Sequence, residues 1–556
     1  MKRTILLMQV DKMCLVVADA KTITCATCSQ DDFEHAYYVD SQPGDTIVLP
    51  AGSATWGNSS RGNNGVIYII TNVTVVGQGD ATVITLDDTG KTYANGVIAC
   101  WAAATFSHFE IIGSDINPVT AFQIESYNNP ATGINFTGGF RLTDITFSGG
   151  LGGGYFAYLG SGVDSGLIDH CRLTGDIGSA ELIFGRGPTN AWQTNSSIGA
   201  ANNLFVEDCT FDNVGYVCDA NSNARFVVRY NTMNGTNKID GHGLASNTPA
   251  RGFRNMEIYG NHFTAVSPFS AAIEIRGGTS MIFDNSSDNP NGDSGAWFFL
   301  SDYGYLGDWN NFGVPIGGIS TGNPTTITTA APHGYSTGWL VQVYCQAGTT
   351  TPMIQGYYTV TVTGPNTFTI PVNVTAGGSG LSGCVTHRYQ TLLDYPITDQ
   401  IGVGKDPKVA HSEPAYVWHN LKSGAPWKRT VRAVDPGAIN VYRSQTGNPA
   451  STFTEDQIIQ SNRDFFSDAG FDTNTGVGRG TKAAMNATTP GVTGYGWWVT
   501  DEGSWNTKLP PNTSGQLYTW NGSAWVLKYT PYLYPHPLQE ATMVPPSNAV
   551  ITIEVF

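Results

Sequence analysis

FVEDCTFDNV, residues 205–214, alternates apolar and polar side chains and then breaks into a short polar turn. The phrase returns as VVRYNTMNGT (227–236), EIYGNHFTAV (257–266) and MIFDNSSDNP (281–290). Upstream it stands as LIDHCRLTGD (167–176) and FRLTDITFSGG (140–150). One position recurs in each, occupied in turn by Ile145, Cys171, Cys209, Asn231, Asn261 and Asn285, at intervals of 26, 38, 22, 30 and 24 residues. A minimum in the low twenties with a variable excess fits parallel β-coils. Each strand then stacks on its counterpart one coil away, and loops of any length leave without breaking the stack. The recurring position then points into the coil. Cys171 and Cys209 read as small apolar fillers, and Asn231, Asn261 and Asn285 as an inward ladder that satisfies turn backbone groups.

The bulk composition agrees. A chain of 556 residues is too long for one ordinary compact core, so it holds several domains or one elongated repetitive body. Only 13% of residues are charged and 66 are glycine, which with abundant Asn, Thr and Ser favours strands and turns over helices. The 40% hydrophobic share excludes a disordered chain. A formal net charge of −16 argues against nucleic acid as partner, because phosphate binding needs a basic face. It leaves room for a polyanionic sugar held by a local basic patch. No run of 18 apolar residues exists, so no membrane span is expected. Residues 1–20, with a charged start and an Ala18-Asp19-Ala20 ending, read as a possible signal segment and point to a secreted or cell-surface protein. Cys25 and Cys28 form CATC without a second pair, so a local disulfide or two free thiols fits better than a metal site.

Ser29 is placed to N-cap a short amphipathic helix through Phe33 and Tyr37. DTIVLPAG (45–52) and VTVVGQG (73–79) follow as strands. A helix at the open end of a β-stack covers strand edges that would otherwise invite aggregation.

CSQDDFEHAYYVDSQPGDTIVLPAGSATW (28–56), VTVVGQG and the coil phrases together resemble the pectin-lyase-like proteins. EPAYVWHN (413–420), NRDFF (462–466), YGWWVTDEGSWN (495–506) and YTPYLYPHPL (529–538) continue the likeness, to a secreted bacterial subgroup of largely unassigned activity. The resemblance implies an all-β, right-handed parallel β-helix, a solenoid with an N-terminal capping helix and a small inserted β-module. It implies polysaccharide chemistry without naming the substrate, because one scaffold carries lyases, hydrolases, esterases and adhesins. The expected division is β-helix with cap over 21–315, inserted module over 316–388, β-helix continuation with a Trp-rich part over 389–541, and a linker-like tail over 542–556. In the insert, His333 of a Pro-His-Gly turn is read as turn chemistry. Trp497, Trp498, Trp505, Trp520 and Trp525 are read as core, with sugar stacking as the alternative.

Before each coil phrase stands a second strand: ELIFGRG (181–187), GYVCDAN (215–221), NKIDGHG (237–243) and AIEIRGG (272–278). Registered on Ile183, Val217, Ile239 and Ile273, alternation sends one column outward as Phe184, Cys218, Asp240 and Glu274. The next reads Arg186, Ala220, His242 and Arg276. An acid pair, an imidazole and two guanidiniums on one wall suggest a site. The competing reading is an exposed salt-bridged ladder. A second outward group runs Asp169, Glu207, Arg229, Tyr259 beside Arg172, Thr210, Thr232, His262.

Two chemistries suit these residues. In β-elimination on a uronate, His242 or Arg276 is the base, with Asp240 and Glu274 completing the catalytic set. Arg186 and Arg229 neutralise charge, and Arg172, His262 and Tyr259 complete substrate binding. Calcium held by Asp240, Glu274 or Glu207 is a possible cofactor. In hydrolysis, Asp240 and Glu274 would be the carboxylate pair. The arginines favour an anionic polysaccharide and hence elimination. The alternative class is a non-catalytic glycan-binding surface or spike protein, which would be a trimer where the enzyme would be a monomer.

Overall fold

The computed structural model describes residues 20–57, 65–87, 96–113, 119–129, 134–136, 138–174, 181–188, 191–235, 237–243, 252–264, 272–288, 298–299, 314–345, 354, 356–375, 381, 384–388, 401–404, 411–427, 431–432, 460–468 and 476–540. The expected signal segment, save its last residue, and the linker-like tail lie outside these.

The coil phrases stack as parallel strands in the register their sequence implies. Strands Ser165–Asp169, Leu204–Glu207, Arg225–Arg229, Asn255–Tyr259, Thr279–Phe283 and Ala415–Trp418 form one run. Strands Arg172–Thr174, Thr210–Asp212, Thr232–Asn234 and His262–Phe263 form a second run beside it. Two residues separate the runs in each coil, and the first of them bends the chain with a left-handed backbone: His170, Asp208, Tyr230, Gly260, Asp284 and His419, with φ between 51° and 67°. Bulky Tyr230 at φ 56° is unusual there. Its ring lies 3.9 Å from that of Tyr534, and its hydroxyl accepts from Asn506 Nδ2 at 3.0 Å, so packing from the C-terminal segment offsets the local strain.

The residue after each bend points inward. Cys171 and Cys209 are buried free thiols. Asn231, Asn261, Asn285 and Asn420 make the expected ladder, each Nδ2 of the first three donating to the Oδ1 of the next at 2.8–3.0 Å. The same amides donate to the carbonyls of Val206, Val228 and Ile258. A stretch of 135 residues separates Asn285 from Asn420, yet the ladder is unbroken.

A third wall is a ten-stranded parallel sheet. It runs through Ala157–Leu159, Glu181–Gly185, Gly215–Ala220, Asn237–Gly241 and Ile273–Ile275 to Val431–Arg432. Between the walls lies a core in which Ile183, Val217, Ile239, Phe253, Met256 and Ile273 are fully buried. Each such side chain stabilises the fold by about 1.5–3 kcal/mol.

At the N-terminal end, Ser29 accepts from Asp32 N at 3.2 Å and caps the helix Gln30–His35. Phe33 is buried against Trp56, with ring centroids 5.0 Å apart, so the helix covers the first coil as expected. Cys25 and Cys28 are free and buried.

Strands between Val314 and Arg388 pair antiparallel around their own core of Ile316, Ile327, Val341, Phe368 and Ile370. His333 serves its turn: Nε2 donates to Gly364 O at 3.1 Å and Nδ1 accepts from Tyr335 N at 2.9 Å. Cys384 is disulfide-bonded, and Cys345 stands opposite it. A four-stranded sheet, Val477–Gly480, Gly496–Val499, Gln516–Trp520 and Trp525–Tyr529, closes the described chain. It packs on the first run of coils through Trp498, Leu517 and Tyr529.

Candidate functional site

Ile239 and Ile273 are register partners and both fully buried, so alternation places Asp240 beside Glu274 on the outer side of the third wall. Gly241 faces in, because a Cβ there would stand 2.7 Å from Met256 Sδ and from the Phe253 ring. The Asp-Gly-His stretch thus combines two outward chemical groups with an inward residue that must be small.

One coil earlier the expected register is corrected. A shift between Tyr216 and Cys218 pairs Cys218 with Ile239 and Asp219 with Asp240. Cys218 is therefore core, and the acidic column reads Asp219, Asp240, Glu274, with Phe184 before it. The next column slips likewise. Asn221 N bonds to Gly185 O and His242 N to Ala220 O, so Arg186, Asn221, His242 and Arg276 stand in succession and Ala220 faces in. Asp219 escaped the sequence reading because one extra residue, Val217 between Tyr216 and Cys218, resets alternation, and alternation alone cannot reveal a bulge. Lys238 was also missed. It lies two residues before Asp240 and so on the same outward face.

The groups form one network. His242 Nδ1 lies 2.9 Å from Asp219 Oδ1. Arg276 bonds Asp240 through Nη2, reaches 3.0 Å from His242 Nδ1, and places Nε 3.3 Å from Glu274 Oε1. Lys238 bonds Glu274, with Asp240 Oδ2 at 3.9 Å, and its ammonium lies 4.8 Å from the Tyr216 ring centre. Burial alone would lower the pKa of Lys238, but Asp240 and Glu274 outweigh it and the net shift is upward. Arg276 shifts the same way: burial opposes its charge, and Asp240, Glu274 and Asp219 more than compensate. Asp219 and Asp240 are buried, whereas His242 exposes 25% of its side chain. The imidazole is the member of the Asp219–His242 pair that meets solvent. Nδ1 stands between the Asp219 carboxylate, which can only accept, and the Arg276 guanidinium, which can only donate; the tautomer that donates to Asp219 is the one that leaves Nε2 basic.

Arg186 stands two coils away, roughly 10 Å along the stack. Its guanidinium lies 5.7 Å and 5.5 Å from the ring centres of Tyr158 and Phe184, which stack at 5.4 Å with Tyr155 beside them. Its Nε is buried with no hydrogen-bond partner among the described residues.

The second group of expected site residues is in the expected register but does not join this site. Asp169, Glu207, Arg229 and Tyr259 are successive partners, yet each is at most 1% exposed because the C-terminal segment lies over them. Arg229 donates to Glu207 Oε2 at 2.5 Å, Tyr259 at 2.8 Å, and the carbonyls of Tyr532 and Leu533 at 2.7 Å. Glu207 Oε1 accepts from His536 N and Gln539 Nε2. Arg229 and Tyr259 are thus structural and not substrate-binding. Glu207 is spent and remote from Asp240 and Glu274, so those three carboxylates do not form one cation site. Arg172 and His262 lie in the second run of coils, on a different sheet face from Asp240, and pair with Asp212 and Asp288 at 3.0 Å.

Asp219, Asp240 and His242 do bring one donor atom each within 4.8 Å of one another. Asp219 Oδ2 and Asp240 Oδ1 are buried without a hydrogen-bond partner among the described residues. The set still does not fit calcium, which takes six to eight oxygens. Arg276 Nη2 already stands against Asp240 Oδ2 and His242 Nδ1.

No family model matches the chain, and no curated protein matches it. Among solved structures it is similar to an alginate lyase from Paenibacillus sp. str. FPU-7, at 15% identity over 49% of this chain and 96% of that one, TM-score 0.24. It is similar to the A-module of a mannuronan C-5 epimerase of Azotobacter vinelandii, at 14% identity over 49% and 74%, TM-score 0.31. It is also similar to the tailspike protein of E. coli bacteriophage HK620 in complex with pentasaccharide, at 14% identity over 49% and 56%, TM-score 0.31. Likeness at this level does not reach residue roles or activity.

Proposed function

We propose that this protein is an extracellular, carbohydrate-active β-helix protein that cleaves an acidic, uronate-containing polysaccharide by β-elimination. The observation that carries the reading is the Asp219–His242 pair, with Nδ1 held at 2.9 Å and the ring reaching solvent. His242 Nε2 removes the proton on the carbon next to the uronate carboxylate. The electron pair forms a double bond to the neighbouring carbon, the glycosidic C–O bond there breaks, and the leaving oxygen takes a proton from water while the proton on Nε2 returns to solvent. Arg276, in contact with the imidazole, supplies the nearest fixed positive charge for the developing carboxylate dianion. Held by two carboxylates, it serves as a charge and not as the base. Arg186, with an unpartnered Nε above an aromatic shelf, suits the carboxylate of a neighbouring sugar. Asp240 and Glu274 both face cations inside the network, an arrangement that favours elimination over a two-carboxylate hydrolysis. The disulfide at Cys384 supports an oxidising compartment.

The test is turnover on a panel of uronate and neutral polysaccharides, read by the ultraviolet absorbance of the unsaturated product. Wild type should act on at least one uronate polymer and His242→Ala on none. Reducing ends released without that absorbance would replace elimination by hydrolysis. An inert wild type would leave a glycan-binding protein.

A further inference from the structure

The C-terminal sheet has two unlike faces. Trp498, Leu517 and Tyr529 are register partners on the inner face, at most 3% exposed, and pack on Phe283 and Trp418. A sheet buried on one side ordinarily turns polar residues to water on the other. Here the outer register row is Trp497, Tyr518 and Leu527, and two residues along it lies the cross-strand pair Trp520–Trp525. The four aromatic residues are all partly exposed and Leu527 is 49% exposed.

These aromatics are held in place. A Cβ on Gly478 would stand 2.4 Å from the Trp497 ring, so the indole lies across bare backbone. Trp525 Nε1 donates to Thr488 O at 3.3 Å, and its ring meets Trp520 edge-on at 5.7 Å. Trp497 Nε1 is buried, with no hydrogen-bond partner among the described residues. Lys482 Nζ sits 3.5 Å from the centre of the Tyr518 ring and bonds Glu502, which also accepts from the Tyr518 hydroxyl at 2.6 Å. Charge separates this region from the rest. Residues 476–540 carry four basic side chains against three acidic ones, in a chain whose formal net charge is −16.

We propose that this outer face is a second binding face, for the pyranose rings of an anionic polysaccharide chain. Indole and phenol faces stack on the apolar faces of sugar rings, and the polar edges between them take hydroxyls. With four basic side chains against three acidic ones, this region lacks the excess negative charge by which the rest of the chain would repel a polyanion. The face lies on a different sheet from Asp219 and His242, and it does not require that pair to be catalytic.

The test is retention of the full chain in native gels containing entrapped alginate, polygalacturonate or neutral dextran. A His242→Ala/Arg186→Ala background removes the contribution of the other site. That background should be retarded by at least one of the uronate polymers and not by dextran. Adding Trp520→Ala/Trp525→Ala should weaken binding by about tenfold or more, while Trp520→Tyr/Trp525→Tyr should restore most of it. If the alanine pair misfolds, Lys482→Gln alone should lower retention on the uronate polymer. Equal retention with and without the tryptophans overturns the proposal. So does a wild-type dimer, seen by light scattering, that the alanine pair dissociates. Retention without turnover leaves this face standing and removes the lyase reading. Turnover with retention indifferent to Trp520 and Trp525 does the reverse.

Discussion

Asp219 and His242 lie 23 residues apart in the chain and 2.9 Å apart in space. The stacking of coils turns that sequence interval into a contact between carboxylate and imidazole, and a proton on Nδ1 shared with Asp219 leaves Nε2 as the basic nitrogen.

Asp219→Asn should therefore lower kcat on a uronate polymer by about 10²–10⁴-fold with little change in KM. The amide nitrogen can donate to Nδ1 and so stabilise the wrong tautomer. Steady-state kinetics beside a melting curve test this. A folded variant with undiminished kcat would remove the dyad from the mechanism.

Arg276 serves Asp240 and Glu274 at once, and both are buried. Arg276→Met should destabilise the fold by about 3–5 kcal/mol, because two buried carboxylates then lose the guanidinium they share. Arg276→Met/Asp240→Leu should recover part of the loss. Urea midpoints of the two variants decide the matter, and a harmless single substitution would contradict it.

Within the ladder, Asn261 donates to Val228 O and to Asn285 Oδ1, and accepts from Asn231. Asn261→Leu leaves several of these groups buried and unpaired, at a cost of about 1–3 kcal/mol each. Amide exchange at Asn231 should accelerate by more than tenfold. Unchanged protection would mean that strand pairing alone holds the bend.

Two buried groups where the C-terminal segment meets the coils titrate in opposite senses. Burial raises Glu257 to about 7, against the bond from the Tyr529 hydroxyl. Its folded pKa exceeds its unfolded one, so its contribution to stability falls as pH rises from about 4.5 to 7. Burial lowers His536 to about 4, and neighbouring Arg229 adds to this. Its contribution falls as pH drops from about 6.5 to 4. The two offset each other near pH 5–6. Glu257→Gln should lose stability towards acid and His536→Gln towards neutrality, read as melting temperature against pH. Parallel curves for the two variants would refute the pairing.

Arg229→Met removes the donors to the Tyr532 and Leu533 carbonyls and leaves Glu207 without its cation. Residues 529–540 should become cleavable by proteases that spare the wild type. An equally resistant variant would show that Tyr529 and Tyr534 suffice.

Much of this architecture is legible in the chain. The columns from Asp169 to Tyr259 and from Arg172 to His262 follow from the repeating phrase, because alternation fixes which side chains share a row. Cys171, Cys209 and the asparagines are legible for the same reason. Asp219 is not, since a bulge adds a residue without altering the run of apolar types around it. The burial of Arg229 is hidden more deeply, because its cover comes from 303 residues downstream. The tryptophans divide as a sheet must: Trp498 and Trp505 are core, while Trp497, Trp520 and Trp525 stay partly open.

The bond from Arg229 to Leu533 spans 304 residues. At about 5–20 residues per second, synthesis separates the two by roughly 15–60 s. From its own synthesis until that segment arrives, each member of the aromatic row of Tyr259, Phe283 and Trp418 lacks its cover, although the coils bearing it can already have stacked. The nascent protein therefore passes through an adhesive stage whose length is set by translation, and a ribosome stalled before the last strand would leave a species prone to aggregate.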